Sequence, residues 1–350
     1  MVKIDSSSQD TRRRFEQWAK NPRCAANAAS AILNIPMIKV AQAEGVATKF
    51  GQSPFALARG QSFERAMFKD NALVLRDELV SVGVLPTTAR GFADFRFKRN
   101  GGPVTKIEHG RVATTAWMKD LAAGRFERTI AAGATIRIPG GVMLPHATLC
   151  IDAIAVVERD GRPSIIVGEI KVYPDRGGYT DATQLATSRA QAGMYVHALR
   201  LAIDEAKLGS RLTVESTGFL VLSRSGSNRI SIRANEDFSG QAERAKTGLT
   251  TLSTVAQQLK LQPTAGLPVI QQAPVTYCES CVSFCERAER CRSEAERTGS
   301  GALLGDEAQR FLGDVTLRRV AQLADGAKPR DEHEHEIARL LAATEVRDGN

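Results

Sequence analysis

The sequence contains no apolar run that approaches the ~20 residues with which a helix crosses a bilayer. Its first stretch, residues 1–21, is polar and charged and has no apolar core of the kind found in a secretory signal peptide. We therefore expect a cytoplasmic protein with no membrane attachment. Thiols stay reduced in that compartment, so we expect the six cysteines to act as ligands rather than as disulfides.

The composition is that of a folded globular protein with a surplus of positive charge. Hydrophobic residues make up 43% and charged residues 25%, which argues against a disordered chain. The formal net charge of +8 suits a polyanionic partner without requiring one. A length of 350 residues allows one large domain with appendages or two modest domains.

A β-hairpin is predicted near the middle of the chain. Residues 150–158 and 164–172 are apolar and rich in β-branched side chains. Between them stands Asp160-Gly161, the dipeptide that best supplies the positive φ angles of a type I′ turn. Such a turn fixes the register, although Pro163 beside it allows a bulge that would shift the register.

In the predicted register, Asp152 faces Glu169 across the hairpin, and Lys171 returns to the same face. Neighbouring carboxylates need a compensating positive charge, and oxygen ligands suit Mg²⁺ or Mn²⁺. The pattern thus indicates a metal site with a lysine that orients water or stabilises a phosphate. The alternative is an exposed, solvated hairpin face that carries an ordinary ion pair.

These residues, with a later pair on a helix, resemble a known nuclease family. Asp152, the tripeptide Glu169–Lys171 and a helix with Gln191 and Tyr195 follow the order of motifs in the RecB-like branch of the PD-(D/E)xK nucleases. The resemblance covers roughly residues 55–292. It implies an α/β fold with a restriction-endonuclease-like αβββαβ core.

The resemblance also implies the roles of the site residues. Lys171 would help to activate water, and Gln191 and Tyr195 would position the DNA strand and support the active site. The alternative for Gln191 and Tyr195 is a polar pair on a helix surface. The implied ligands of Mg²⁺ or Mn²⁺ are Asp152, Glu169 and the backbone carbonyl of Ile170.

A further ligand is expected from an upstream helix that begins at Ser53-Pro54. In the resembled family this helix carries a G-x-x-H motif or a nearby acidic residue. Here Gly60 is followed by Phe63 where the histidine would fall, and then by Glu64. Glu64 is thus the candidate ligand; the alternative is a surface glutamate paired with Arg65 or Lys69.

The C-terminal region contains a cysteine cluster: Cys278, Cys281, Cys285 and Cys291. Four cysteines so close together indicate a metal centre, and both Zn²⁺ and a 4Fe-4S cluster accept four thiolates. The resemblance favours the iron–sulfur cluster, with one ligand supplied near the N-terminus, for which Cys24 is the candidate. Either the four C-terminal cysteines hold the centre, or Cys24 joins three of them; otherwise Cys24 is simply a small buried residue.

The predicted organisation has four segments: an N-terminal helical segment (1–52), the nuclease core (53–262), the cysteine-rich segment (263–298) and a helical appendage (299–350). Within the core we expect a helix over 114–132, a short strand over 134–138 and a flexible loop over 174–178. A long helix capped by Thr180 or Asp181 should run to about residue 207. In the appendage we expect helices over 306–323 and 331–343.

We therefore predict a metal-dependent DNA nuclease that acts on single-stranded DNA or duplex ends. By resemblance it would serve DNA repair, recombination or anti-phage defence, and a helicase or another nuclease-complex subunit is a possible partner. One alternative is a non-catalytic DNA-binding or assembly subunit with a nuclease fold. Another is a zinc-stabilised interaction module in which the acidic hairpin is incidental.

Overall fold

The computed structural model describes residues 14–15, 17–46, 54–96, 107–138, 147–224, 229–262 and 264–348. The chain divides into two compact units, of which the first comprises Met1–Arg14 and Gly51–Pro263. The second comprises Phe15–Phe50 and Thr264–Asn350, so it joins residues from both ends of the chain. No helix in these described ranges is long and apolar enough to cross a membrane.

The described part of the chain forms helices and strands with the following bounds. The helices are α1 (Ala25–Leu33), α2 (Met37–Ala43), α3 (Pro54–Met67), α4 (Lys69–Ser81), α5 (Ile107–Ala122), α6 (Ala182–Glu205), α7 (Ser239–Gln258), α8 (Leu267–Gln272), α9 (Ala288–Thr298), α10 (Asp306–Leu312), α11 (Leu317–Ala324) and α12 (Glu332–Asp348). The strands are β1 (Phe92–Asp94), β2 (Ile130–Arg137), β3 (Thr148–Arg159), β4 (Arg162–Asp175), β5 (Thr213–Val214), β6 (Thr217–Arg224) and β7 (Ile230–Asp237).

The first unit is built on one mixed sheet with the strand order β1-β2-β3-β4-β6-β7, and β5 pairs with β4 beside this path. Strands β2, β3 and β4 are antiparallel neighbours, whereas β6 runs parallel to β4. A parallel neighbour requires a crossover, which α6 supplies. The prediction of an α/β protein is confirmed.

The central hairpin has the predicted register. Asp160 and Gly161 have φ angles of 51° and 70°, as a type I′ turn requires. Pairing runs without a shift from Arg159–Arg162 at the turn to Ala153–Gly168, and Pro163 takes its regular place opposite Glu158. The bulge that Pro163 made conceivable is therefore absent from this ladder.

The sheet buries different partners on its two faces. Ala153 and Ile170 belong to a core that includes Phe63 and Leu75 of the paired helices α3 and α4. Because side chains alternate along a strand, Glu169 points to the opposite face. On the sheet, α6 packs against β4, and α7 packs in turn against α6. The site residues are thus placed between the sheet and its crossover helix.

Two predicted elements of the first unit are wrong in their bounds. The helix predicted over 114–132 ends at Ala122, and Gly124 then takes a φ of +77°. Residues Ile130, Ala131 and Ala132 are instead buried in β2, because a short apolar run fits a strand as well as a helix until tertiary packing decides. The loop predicted over 174–178 is also too long, since β4 extends to Asp175.

The C-terminal part of the second unit is a set of short helices. The helix predicted over 306–323 is in fact two, α10 and α11, separated at Gly313, which has a φ of +53°. Leu312, Leu323 and Ile337 form a small core between α10, α11 and α12. Arg319 donates two hydrogen bonds to Glu334, at 2.9 and 2.7 Å, and so joins α11 to α12.

Candidate active site and cysteine cluster

Strands β3 and β4 part from each other at the predicted site. Their ladder ends at Ala153–Gly168, while β4 continues alongside β6 through Glu169 and Ile170. In place of a further ladder bond, the Ile170 N–H donates to Oδ2 of Asp152 at 3.2 Å. The Asp152 carboxylate is therefore fixed by the β4 backbone at the point where the two strands part.

Gly168, immediately before Glu169, allows the side chain of Phe219 to pack directly against the β4 backbone. A Cβ at this position would lie 2.2 Å from ring carbons of Phe219 on β6. The missing side chain lets the fully buried Phe219 ring approach the backbone immediately before Glu169. Glycine here is therefore explained by packing, and it brings β6 against the segment that carries the carboxylate.

Glu169 and Lys171 form a buried ion pair on the face that α6 covers. Glu169 is 0% exposed and Lys171 13%, and the Lys171 ammonium lies 2.8 Å from Glu169 Oε1. The alternative of an exposed, solvated hairpin face is wrong for Glu169. A buried carboxylate is costly unless a positive charge accompanies it, and in this structure Lys171 supplies that charge.

Gln191 and Tyr195 are buried on α6, so the alternative of a polar pair on the helix surface is also wrong. Asp181 caps this helix by accepting the Gln184 N–H at 2.9 Å, as predicted. Gly193 faces α7, because a Cβ there would lie 2.3 Å from Cβ of Gln241. Gln191 and Tyr195 each lie about 160° around the helix from Gly193, on the side away from α7.

Glu64 belongs to α3, whose Phe63 packs on the sheet face opposite to that of Glu169. Glu64 Oε2 is 3.9 Å from Nη1 of Arg96, and Nη2 of the same arginine donates to Asp94 at 2.6 Å. The role of Glu64 as a metal ligand stays a prediction. Among the described residues, no group of three or more His, Cys, Asp or Glu side chains is arranged to hold a metal ion.

A polar network between α6 and β7 was not indicated by the sequence. Glu236 on β7 is buried and accepts hydrogen bonds from Arg189 Nε at 2.6 Å and Arg233 Nε at 3.0 Å. Burial works to raise the pKa of Glu236, but these two arginines hold it below its ordinary value. Arg189 and Glu236 lie far apart in the sequence, so no local pattern indicated this network.

In the second unit, the first two cysteines of the cluster are close neighbours. Their Sγ atoms, on Cys278 and Cys281, lie 3.5 Å apart. Cys281 Sγ also accepts from the Cys278 N–H at 3.5 Å and from the side-chain amide of Asn21 at 3.3 Å. Burial raises the pKa of Cys281 to about 11, and these two amide donors act in the opposite direction, toward the thiolate that a metal needs.

Cys24 lies near the C-terminal cysteines. The pKa of Cys285 is raised to about 12, chiefly by burial, with contributions from negative charge on Cys281 and Cys24. Burial likewise raises the pKa of Cys291, with a further contribution from Cys24. Cys24 therefore contributes to the electrostatic environment of Cys285 and Cys291; its role as a ligand stays a prediction.

The N-terminal segment of this unit is anchored beside the cysteines. Glu44, at the end of α2, accepts two hydrogen bonds of 2.8 Å from Arg287 and forms a second ion pair with Arg290. The Asn21 amide donates to the Thr276 carbonyl at 2.7 Å. These contacts join residues more than 240 positions apart and fix Cys24 relative to the cluster.

Comparison with known proteins gives no family. No family model matches the chain, and no curated protein matches it. The solved structure of SSO0001 is similar over 73% of this chain and 94% of its own, with 13% sequence identity and a TM-score of 0.24. A likeness of this size identifies neither the fold family nor the function.

Proposed function

We propose that the chain is a metal-dependent DNA nuclease of the RecB-like PD-(D/E)xK type. The observation that carries this proposal is the grouping of Asp152, Glu169 and Lys171 where β3 and β4 part. A buried carboxylate and lysine beside a second, partly exposed carboxylate are a costly arrangement in a sheet that could have been apolar. Charged groups kept at such a cost are typical of catalytic sites.

The proposed site uses oxygen ligands of the kind that Mg²⁺ and Mn²⁺ prefer. Asp152, Glu169 and the Ile170 carbonyl would hold the ion, and the fit rests on Asp152 being fixed at the strand opening. When bound, the ion would polarise the phosphodiester and lower the pKa of a water. Lys171 would orient the attacking water and stabilise the negative charge that develops on the phosphate.

The surroundings support this site. The helix α3, the strands β2, β3 and β4, the helix α6 and the strand β6 follow one another as the αβββαβ core of these nucleases would require, with α4, β1, α5 and β5 as additional elements between them. Gln191 and Tyr195 are buried on the crossover helix, consistent with a role in supporting the site. The net charge of +8 favours a polyanionic substrate such as DNA.

Cleavage of labelled single- and double-stranded DNA with Mn²⁺ or Mg²⁺ tests the proposal. Asp152→Asn keeps an oxygen that can accept the Ile170 N–H but removes the charge that would bind the ion. We expect this variant to fold normally and to cleave about 10²- to 10³-fold more slowly. Glu158→Gln, at the exposed end of the same strand, is the matched control and should cleave at the wild-type rate.

Equal cleavage by wild type, Asp152→Asn and Glu158→Gln would point to a contaminating nuclease and overturn the assigned site. A folded wild type that binds DNA but does not cleave it would instead favour a non-catalytic binding or assembly subunit. The preparation must be anaerobic, because an iron–sulfur cluster could otherwise be lost before the assay.

For the second unit we propose a 4Fe-4S cluster held by four of five cysteines: Cys278, Cys281, Cys285, Cys291 and the N-terminal Cys24. The proposal is supported by the contact between Cys278 Sγ and Cys281 Sγ. Anaerobically purified protein should then be brown, contain about four iron atoms per chain, and lose its absorption in Cys281→Ser. The matched control is Cys150→Ser on β3, which should keep the full iron content. A colourless protein with stoichiometric zinc would contradict the cluster and favour the zinc-stabilised module.

A further inference from the structure

A tight turn follows the strand that carries the candidate active site. Arg176 and Tyr179 form a bridge in which the Arg176 N–H donates to the Tyr179 carbonyl at 2.8 Å and the Tyr179 N–H donates back at 3.3 Å. The two residues between them, Gly177 and Gly178, both have positive φ angles. The chain therefore reverses direction within two residues at the end of β4.

This turn is fixed on both sides. Before it, the buried Asp175 accepts from Ser231 Oγ at 2.6 Å and from Thr180 Oγ1 at 3.2 Å. Within it, Arg233 Nη1 donates to the Gly178 carbonyl at 2.7 Å. Strand β7 and the start of α6 thus hold the turn in one position, and none of these bonds involves the Tyr179 side chain.

On this fixed turn the Tyr179 side chain is 70% exposed. Ordering an aromatic ring in solvent gains little for folding, because the ring buries little surface there. A ring whose backbone is already fixed, however, loses little further entropy when a flat partner covers it. Arg176 next to it is also exposed and is available to a phosphate.

The position of the turn relates the ring to the candidate site. Lys171 and Asp175 are four positions apart on β4, a distance of at most about 13 Å in an extended strand. The pairing of β4 with β6 shifts register between Ile170 and Pro174, so the actual separation is shorter. A polyanion seated at Lys171 and continuing along the end of β4 would reach this turn, which places the Tyr179 ring within reach of a chain of nucleotides bound at the site.

We propose that Tyr179 is a binding residue that stacks on an unpaired base of single-stranded nucleic acid, with Arg176 contacting the adjacent phosphate. The inference rests on the proposed function, because it takes the nucleic acid to be the substrate of the same site. Stacking requires a free base face, which every unstacked base of a single strand offers, whereas a duplex offers one only at its ends. The turn would thereby select unpaired over paired substrate.

The test measures binding of a single-stranded oligonucleotide that contains 2-aminopurine, without added divalent metal and at one fixed salt concentration. Stacking on Tyr179 should quench the probe at one or two positions of the strand. Tyr179→Ala should weaken binding roughly 5- to 100-fold and abolish the quenching at those positions. Tyr179→Phe keeps the ring and should resemble wild type, as should Val112→Ala, an exposed residue of α5.

Equal binding and quenching by wild type and Tyr179→Ala would overturn the inference while leaving the nuclease untouched. So would equal weakening in Tyr179→Phe and Tyr179→Ala, since that would indicate the hydroxyl rather than the ring. A wild type that binds single strands through Tyr179 but cleaves nothing would support the stacking role and refute the nuclease. A wild type that cleaves duplex DNA but does not bind single strands would support the nuclease and refute the stacking role of Tyr179.

Discussion

Replacing Lys171 with methionine is expected to slow DNA cleavage about 10²- to 10⁴-fold and to lower the free energy of unfolding by about 3–5 kcal/mol. The two effects have one cause. Lys171 is the positive charge beside a fully buried Glu169, so its removal leaves a carboxylate without its nearest cation in the protein interior. The same removal takes away the group proposed to orient water.

A second variant separates stability from activity. In Glu169→Gln/Lys171→Met neither charge remains, and the free energy of unfolding should return most of the way to the wild-type value, because a buried pair costs nearly as much as it contributes. Cleavage should stay as low as in Lys171→Met. Denaturant unfolding and the cleavage rate, measured on the same preparations, give both quantities.

The matched control is Lys246→Met on α7. Its ammonium lies 3.6 Å from Glu243, but both side chains are more than 60% exposed. An exposed pair contributes less than about 1 kcal/mol, so this variant should change neither stability nor cleavage. A double variant that cleaved DNA at the wild-type rate would show that the buried pair is only structural.

Glu44→Ala is expected to destabilise the second unit by about 3–5 kcal/mol while leaving the sheet of the first unit protected. The Glu44 side chain is 6% exposed and that of Arg287 4%, so the change leaves a buried guanidinium without its carboxylate. Arg290, half-exposed beside it, loses the same partner. Because these contacts anchor the segment that contains Cys24, the proposed iron–sulfur cluster should also become more labile.

Hydrogen exchange of the full chain, followed by mass spectrometry, measures this effect region by region. Peptides from 17–46 and 264–300 should lose protection in Glu44→Ala, whereas peptides from 148–175 should keep theirs. Glu294→Ala removes an exposed partner of Arg297 in the same unit and serves as the control. Uniform loss of protection in both units would contradict an effect confined to the second unit.

Local patterns were sufficient to predict the central hairpin. Asp160-Gly161 fixes the turn through its positive φ angles, and the turn fixes which residues pair, so the common face of Asp152 and Glu169 followed from the sequence. The start of α6 was equally predictable, because Asp181 caps this helix by accepting the N–H of Gln184, three residues later. Interactions between residues that are close in the sequence can be predicted from local sequence patterns.

Burial and partner choice could not be read in the same way. The sequence was compatible with either a solvated or a buried hairpin face. The packing of α6 on the sheet makes Glu169 buried. Arg65 and Lys69, close in sequence, were the predicted partners of a surface Glu64, yet the structure also pairs it with Arg96, after β1. The bounds of α5 and β2 depended in the same way on which residues the sheet could bury.

The sequence by itself determined the α/β class, the register of the hairpin and the identity of the groups that could do chemistry: Asp152, Glu169, Lys171 and the clustered cysteines. Only the tertiary structure decided that Lys171 neutralises a buried Glu169, that Asn21 donates to the sulfur of Cys281, 260 positions away, and that Tyr179 stands exposed on a fixed turn. The physical reason is the sequence separation over which each interaction acts. Turn geometry and strand alternation are settled within a few residues, whereas burial and long-range ion pairs depend on where distant segments pack.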